Sequence, residues 1–146
     1  MKSFTLAVLI STLILGSLAF PTTEDKKPLE NRSYVVACSH LPNGDLKNAE
    51  GEITPMDSSD PFMVIRNKVG TQIYRSETLD NTHDPVFQFA INWDATEIYN
   101  FEFRDHDAFA PDDTLGQVNI GADGLEGIHN LGNPAGGTIQ IIKLGA

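Results

Sequence analysis

From residue 34 onward, short apolar runs are separated by clusters of Gly, Pro, Asn and Asp. Within two of those runs alternation of apolar positions is visible. Phe87-Gln88-Phe89-Ala90-Ile91 and Ile98-Tyr99-Asn100-Phe101-Glu102-Phe103 each send every second side chain to one face. That period of two belongs to a strand with one buried side, as each sheet of a sandwich requires. The pattern predicts strands over 34–39, 62–67, 72–77, 86–91, 98–104, 115–120 and 138–144, with a weaker one near Ile128. No stretch sustains a helical period and no internal repeat is visible. Short strands at regular spacing with turn residues between them predict an all-β, antiparallel β-sandwich.

The beginning of the chain reads differently. Met1-Lys2, an apolar run from Leu6 to Leu18 and the small residues ending at Ala19 form the pattern of a secretory signal peptide over 1–19. The run is too short to span a bilayer. Residues 20–32 are polar, charged and contain Pro, which predicts a flexible leader. The domain is expected over 33–146, and the protein is expected to be secreted and extracellular. Asn31-Arg32-Ser33 is an N-glycosylation sequon, which secretion would make usable at Asn31. Cys38 is the single cysteine, so no internal disulfide can form and the fold must stand on its core. Its apolar surroundings predict a buried, inert thiol.

Charge narrows the partners. The chain carries 20 acidic and 10 basic residues, a net charge of −10, which becomes −11 once Lys2 leaves with the signal segment. Such a chain is a poor match for nucleic acid or for unaided binding to anionic lipid, and it suits cations. The acidity is sharpest over 105–113, where Asp105, Asp107, Asp112 and Asp113 fall within nine residues. Two like charges about 4 Å apart repel by roughly 4 kcal/mol at an effective dielectric of about 20. A hard cation, a basic partner or water must offset that repulsion. Asp105 and Asp107, one residue apart at a strand end, can converge on one ion, with the carbonyl of His106 between them and Asp113 closing the turn. Ca²⁺ accepts six to eight such oxygens at a flexible site. An EF-hand is excluded, because its sixth position would be Ala110 rather than Gly and its twelfth Gly116 rather than Glu. The four histidines show no metal-binding spacing. No nucleophile elbow, phosphate-binding Gly loop or triad is present, so an enzyme is not expected.

Two further turns bear on the acidic one. Ser59-Asp60-Pro61-Phe62 precedes one strand and Thr82-His83-Asp84-Pro85-Val86-Phe87 leads into another. Together with Phe103-Arg104-Asp105-His106-Asp107-Ala108-Phe109 and Asp113-Thr114-Leu115-Gly116, they resemble, in order and spacing, the loop motifs of the C2 domain family. The resemblance covers roughly 34–125. It implies an eight-stranded antiparallel β-sandwich of Greek-key type, with calcium-binding loops at one end and Ca²⁺-dependent phospholipid binding as the activity. Residue by residue, it implies Asp60, Asp105, Asp107 and Asp113 as ligands to Ca²⁺ and His106 as a carbonyl donor. Ala110 stands where the family often has a serine hydroxyl, so one oxygen is missing. The earlier loop-one ligand is either Asp45, within Leu41-Pro42-Asn43-Gly44-Asp45, or Asp57. Asp45 is favoured, followed by an insertion that makes the connection between Ser39 and Asp60 about twenty residues long. Phe109 and Leu46 match positions that enter the lipid headgroup region, where burying a large apolar side chain contributes roughly 1.5–3 kcal/mol.

The leading expectation is therefore a secreted module that binds an anionic phospholipid surface when calcium fills its acidic loops. The competing class is a calcium-stabilised extracellular interaction protein whose target is a protein or a glycan. Phosphoinositide recognition through a basic strand is not expected, because Arg66, Lys68, Arg75 and Arg104 are too few and too scattered.

Overall fold

The computed structural model describes residues 29–42, 59–107, 111–132 and 136–145. Among the described residues eight strands follow one another: β1 Glu30–Ser39, β2 Pro61–Arg66, β3 Gln72–Arg75, β4 Val86–Trp93, β5 Ile98–Asp105, β6 Asp113–Gly121, β7 Gly127–Asn130 and β8 Thr138–Lys143. One 3-10 turn, Ala122–Gly124, lies between β6 and β7. The strands form two four-stranded antiparallel sheets, ordered β4-β1-β8-β7 and β3-β2-β5-β6. This is the antiparallel sandwich that the alternating pattern predicts.

The period of two decides which side chains meet. Tyr34, Val36 and Cys38 of β1, Phe87, Phe89 and Ile91 of β4, and Tyr99, Phe101 and Phe103 of β5 all point into the space between the sheets. Phe89 stands at the centre of an aromatic group, stacked on Tyr34 at 5.2 Å and edge-on to Phe101 at 5.8 Å. Offset and edge-to-face ring pairs of this kind add to simple burial. The continuous apolar run at 34–38 is therefore only half core. Val35 and Ala37 face outward and are half-buried.

β2 departs from alternation, and five consecutive residues from Pro61 to Ile65 are buried. Met63 and Ile65 join the core, whereas Phe62 lies beneath the Arg75 guanidinium, 4.1 Å from the ring centroid. On the same sheet Arg66 and Arg104 flank Glu102 at 3.5 and 3.6 Å. The long stems of these charged residues roof an outward-facing apolar row while their heads stay wet.

β1 begins at Glu30, so residues 30–32 of the expected leader are strand. The polar composition of Glu30-Asn31-Arg32 hides this from a pattern search. What extends the strand is pairing with β4, through Glu30↔Trp93 and Arg32↔Ile91. The Arg32 guanidinium also lies 3.6 Å from the centroid of the Trp93 ring. The expected signal peptide and residues 20–28 of the expected leader lie outside the described residues, and Leu29 directly precedes β1.

The sheets place the connections at two poles. At one pole lie the ends of β1, β3, β5 and β7 and the starts of β2, β4, β6 and β8. At the other lie the β2–β3 and β4–β5 turns and the start of β1. The first pole is drawn tight at Gly137, whose φ of +79° suits glycine. A Cβ there would meet the carbonyl oxygens of Ser39 and His40 at 2.9 Å.

Two outcomes follow from this core. Phe101 is fully buried, so Phe101→Ala is expected to lower the unfolding free energy by about 3–5 kcal/mol in urea titration. Burial, aided by the charge of Asp84, pushes the Cys38 thiol up to about 12. The folded protein should resist iodoacetamide at pH 8 and react once unfolded. Because the folded-state value is raised, this contribution to stability is present below the ordinary thiol value of 9.0 and fades as pH rises towards about 12.

Candidate metal site at the loop pole

Asp60 ties three connections together. It ends the β1–β2 connection just before Pro61, whose fixed φ and missing N–H start β2 at its first residue. The Asp60 backbone N–H donates to Oδ1 of Asp105 at 2.6 Å, and its carbonyl accepts the N–H of His106 at 3.1 Å. Its own carboxylate Oδ1 accepts the N–H of Asn81, in the β3–β4 connection, at 2.8 Å. One residue thus links all three acidic turns.

Asp105 is the last residue of β5 and is only 2 % exposed. A carboxylate in that position carries a desolvation cost that hydrogen bonds and nearby positive charge must offset. Antiparallel pairing sets Asp105 opposite Pro61 on one side and Asp113 on the other. Asp113 opens β6 and is exposed, and Asp107 is half-buried. Arg104, the adjacent cation, is directed elsewhere. Its Nη2 donates to the carbonyl of Asp112 at 2.8 Å, and its Nε faces Glu102.

Two residues carry roles that the sequence reading left out. Asp112 is the clasp of the β5–β6 turn, where its Oδ1 sits 3.1 Å from Nδ1 of His106 and accepts the N–H of Asp107 at 3.4 Å. Partial burial raises the Asp112 carboxyl. The hydrogen bonds from His106 and Asp107 and the charges of His106 and Arg104 outweigh that and hold it below the ordinary carboxylate value. Asp84 is the second. Its Oδ1 accepts the N–H of His40 at 2.7 Å, fastening the end of β1 to the β3–β4 connection. An Asp before Pro and a strand is a turn signal, and its short carboxylate commonly caps a backbone amide. His106, expected as a carbonyl donor, engages the turn through its ring and its N–H.

Of the expected ligands, Asp60, Asp105, His106, Asp107 and Asp113 lie at this one pole. Asp45, Asp57, Leu46 and Phe109 lie outside the described residues. Among the described residues no group of three or more His, Cys, Asp or Glu side chains is arranged to hold a metal ion. The donor chemistry nevertheless suits a hard cation, because the expected ligands here are oxygen donors and the buried Asp105 carboxylate is placed between Asp60 and Asp113. Zinc favours several His or Cys ligands, and these positions offer one histidine, His106, whose Nδ1 lies 3.1 Å from Asp112 Oδ1.

Comparison with known proteins agrees with the fold. The C2 domain family model matches residues 31–135. The chain belongs to the C2 domain family. It is similar to Copine-D from Dictyostelium discoideum, 26 % identical over 118 residues, which covers 76 % of this chain and 20 % of that protein. The chain thus spans about a fifth of the length of that relative. Among solved structures it is similar to the calcium-bound pair of C2 domains of Extended-Synaptotagmin 2, with a TM-score of 0.58 and 21 % identity over 81 % of this chain and 46 % of that one. It is also similar to human GIVD cytosolic phospholipase A2, with a TM-score of 0.50 and 15 % identity over 80 % of this chain. Only 18 % of that enzyme is covered. C2 domains are usually non-catalytic and commonly bind calcium and phospholipid.

The linking role of Asp60 gives a test that needs no metal. With chelator present, Asp60→Ala is expected to lower unfolding free energy by about 1.5–3 kcal/mol, the range for hydrogen bonds to a charged group. Asp60→Asn keeps an acceptor for the Asn81 N–H and should retain most of that stability in the same urea titration.

Proposed function

We propose that this chain is a secreted C2 module that binds anionic phospholipid membranes when calcium occupies its acidic loops. The observation that carries the reading is the buried Asp105 carboxylate, tied to Asp60 and set opposite Asp113, at the loop pole of a chain with net charge −10. Membership of the C2 domain family supports it.

Asp60, Asp105, Asp107 and Asp113 would hold the cation, with Asp45 or Asp57 completing loop one. When bound, Ca²⁺ supplies positive charge that offsets the clustered carboxylates and offers coordination positions to lipid phosphate or carboxylate oxygens. The chain's own residues do the rest. The Asp60 backbone holds the loops in register, and Asp112 fixes the turn that carries Asp107 and Asp113 through its hydrogen bonds with His106 and Asp107. Phe109 and Leu46 would add apolar anchoring of roughly 1.5–3 kcal/mol each if fully buried. Extracellular modules commonly bind Ca²⁺ at about 10⁻⁴–10⁻³ M, so the ion would act outside cells as a near-permanent cofactor.

Co-sedimentation with phosphatidylserine vesicles in calcium and then in chelator tests the reading. Pelleting in calcium alone is expected, and equal pelleting in both, or none in either, overturns it. Calcium binding by calorimetry without any pelleting would favour the non-lipid interaction protein. The ligand assignment has its own check. Asp105→Asn keeps the acceptor for the Asp60 N–H, so the fold should persist while calcium binding weakens in Asp105→Asn with Asp107→Asn. Unchanged calorimetric binding in that double variant would refute the assignment.

A further inference from the structure

At the pole opposite the acidic loops, the chain forms an open cleft of about 370 Å³. That is within the size range of sites that take small ligands. Its lining includes Leu29, Asn31, Ile73, Asn92, Asp94 and Tyr99. Leu29 is 56 % exposed and Ile73 41 %, so both present aliphatic surface at the mouth. The polar part is held in place by the backbone. Oδ1 of Asp94 accepts the N–H and the hydroxyl of Thr96 at 2.8 Å each, and the Tyr99 hydroxyl accepts the Asp94 N–H at 3.0 Å. Amides and the carboxylates of Asp94 and Glu97 beside aliphatic surface offer the hydrogen bonds and apolar contact that a sugar can use. Hydroxyls and an acetamide meet the polar groups, and the C–H face of the ring covers the apolar ones.

Asn31 identifies where that sugar would come from. It is exposed, and it is both a lining residue of the cleft and the acceptor of the sequon Asn31-Arg32-Ser33. Register places it beside Asn92, with both side chains on the outer face of the β4-β1-β8-β7 sheet. The strand positions along that face are uncharged: Asn31, Ser33, Val35 and Ala37 on β1, and Val86, Gln88, Ala90 and Asn92 on β4. In a chain with 30 charged residues this is a neutral path leading away from the cleft.

We propose that Asn31 carries an N-linked glycan whose first sugars seat in this cleft, on the far side of the domain from the calcium loops. The proposal rests on the secretion part of the functional reading, because only a chain on that route meets the glycan donor. In the transfer, Nδ2 of Asn31 bonds to C1 of a sugar carried on a polyprenyl diphosphate. The C1–O bond to the diphosphate breaks, the diphosphate leaves with the bonding electrons, and the amide nitrogen gives up a proton, with no change of oxidation state. The seated sugars add hydrogen bonds to Asn92 and Asp94 and cover Leu29 and Ile73. The loop pole stays clear for a membrane.

The test uses the full chain produced through the secretory pathway of a eukaryotic cell. Mass spectrometry before and after peptide N-glycosidase should show a glycan that is absent from Asn31→Gln and leaves aspartate at position 31 on removal. Release from the folded protein should be slower than from the unfolded one, and Asn92→Ala with Ile73→Ala should speed the folded-state release about tenfold, the equivalent of about 1.4 kcal/mol. A secreted chain with unmodified Asn31 overturns the modification. A glycan released from folded wild type and from the double variant at the same rate overturns the seat. A chain retained in the cell with residues 1–19 still attached overturns the secretion reading, and this proposal with it, while leaving vesicle binding by purified protein to be judged separately.

Discussion

The loop pole depends on one hydrogen bond, the 2.6 Å contact from the Asp60 backbone N–H to the Asp105 carboxylate. It joins the first residue before β2 to the last residue of β5, two strands already paired in register over Pro61↔Asp105. Because the acceptor is charged and almost fully buried, the bond does two things. It offsets part of the cost of removing a carboxylate from water, and it fixes the direction of that carboxylate. The second carboxylate oxygen is held at the same place by the same geometry. The carbonyl of Asp60 and its side chain then reach His106 and Asn81, so the three turns share one fixed point.

The sandwich makes that point possible. Antiparallel pairing ends β5 and begins both β2 and β6 at one level, so an aspartate at each end falls at the same pole without any long-range search. Asp105 and Asp113 are brought face to face by sheet register, whereas Asp60 and Asp105 are joined by a side chain reaching a backbone amide. Register is fixed by the buried faces of β2 and β5, since a slip of one residue would turn Met63, Ile65, Phe101 and Phe103 out of the core. The precision of the acidic pole is therefore inherited from apolar packing on the other side of the same strands.

Much of this is legible in the residues. Phe87 to Ile91 and Tyr99 to Phe103 alternate cleanly, so their strands and their buried faces are visible in sequence. Asp60-Pro61, Asp84-Pro85 and the turn at 105–113 mark the loops by their composition. The start of β1 is not visible, because Glu30, Asn31 and Arg32 are held by pairing with β4 and by the Trp93 ring rather than by hydrophobic burial. β2 hides for the opposite reason. Its outward residues Phe62 and Val64 are covered by side chains from neighbouring strands, a tertiary effect that no local period records. The roles of Asp84 and Asp112 are equally non-local or turn-specific. Each carboxylate is defined by the amide it accepts, and spacing alone does not separate a carboxylate that braces a turn from one that faces an ion.

That separation has a consequence for how an acidic domain could approach an acidic membrane. The net charge of −10 acts over a Debye length of about 8–10 Å, so most of the surface is screened from the membrane at physiological salt. On the proposed reading, contact would be governed by the charge at the loop pole itself. There Asp84 and Asp112 are already engaged by backbone amides, and Asp112 is further balanced by His106 and Arg104. The charge that a cation would offset is that of Asp60, Asp105, Asp107 and Asp113, although Asp60 and Asp105 each also accept one backbone N–H. If calcium binds there as proposed, a few local positive charges would reverse the field at that pole without neutralising the whole chain.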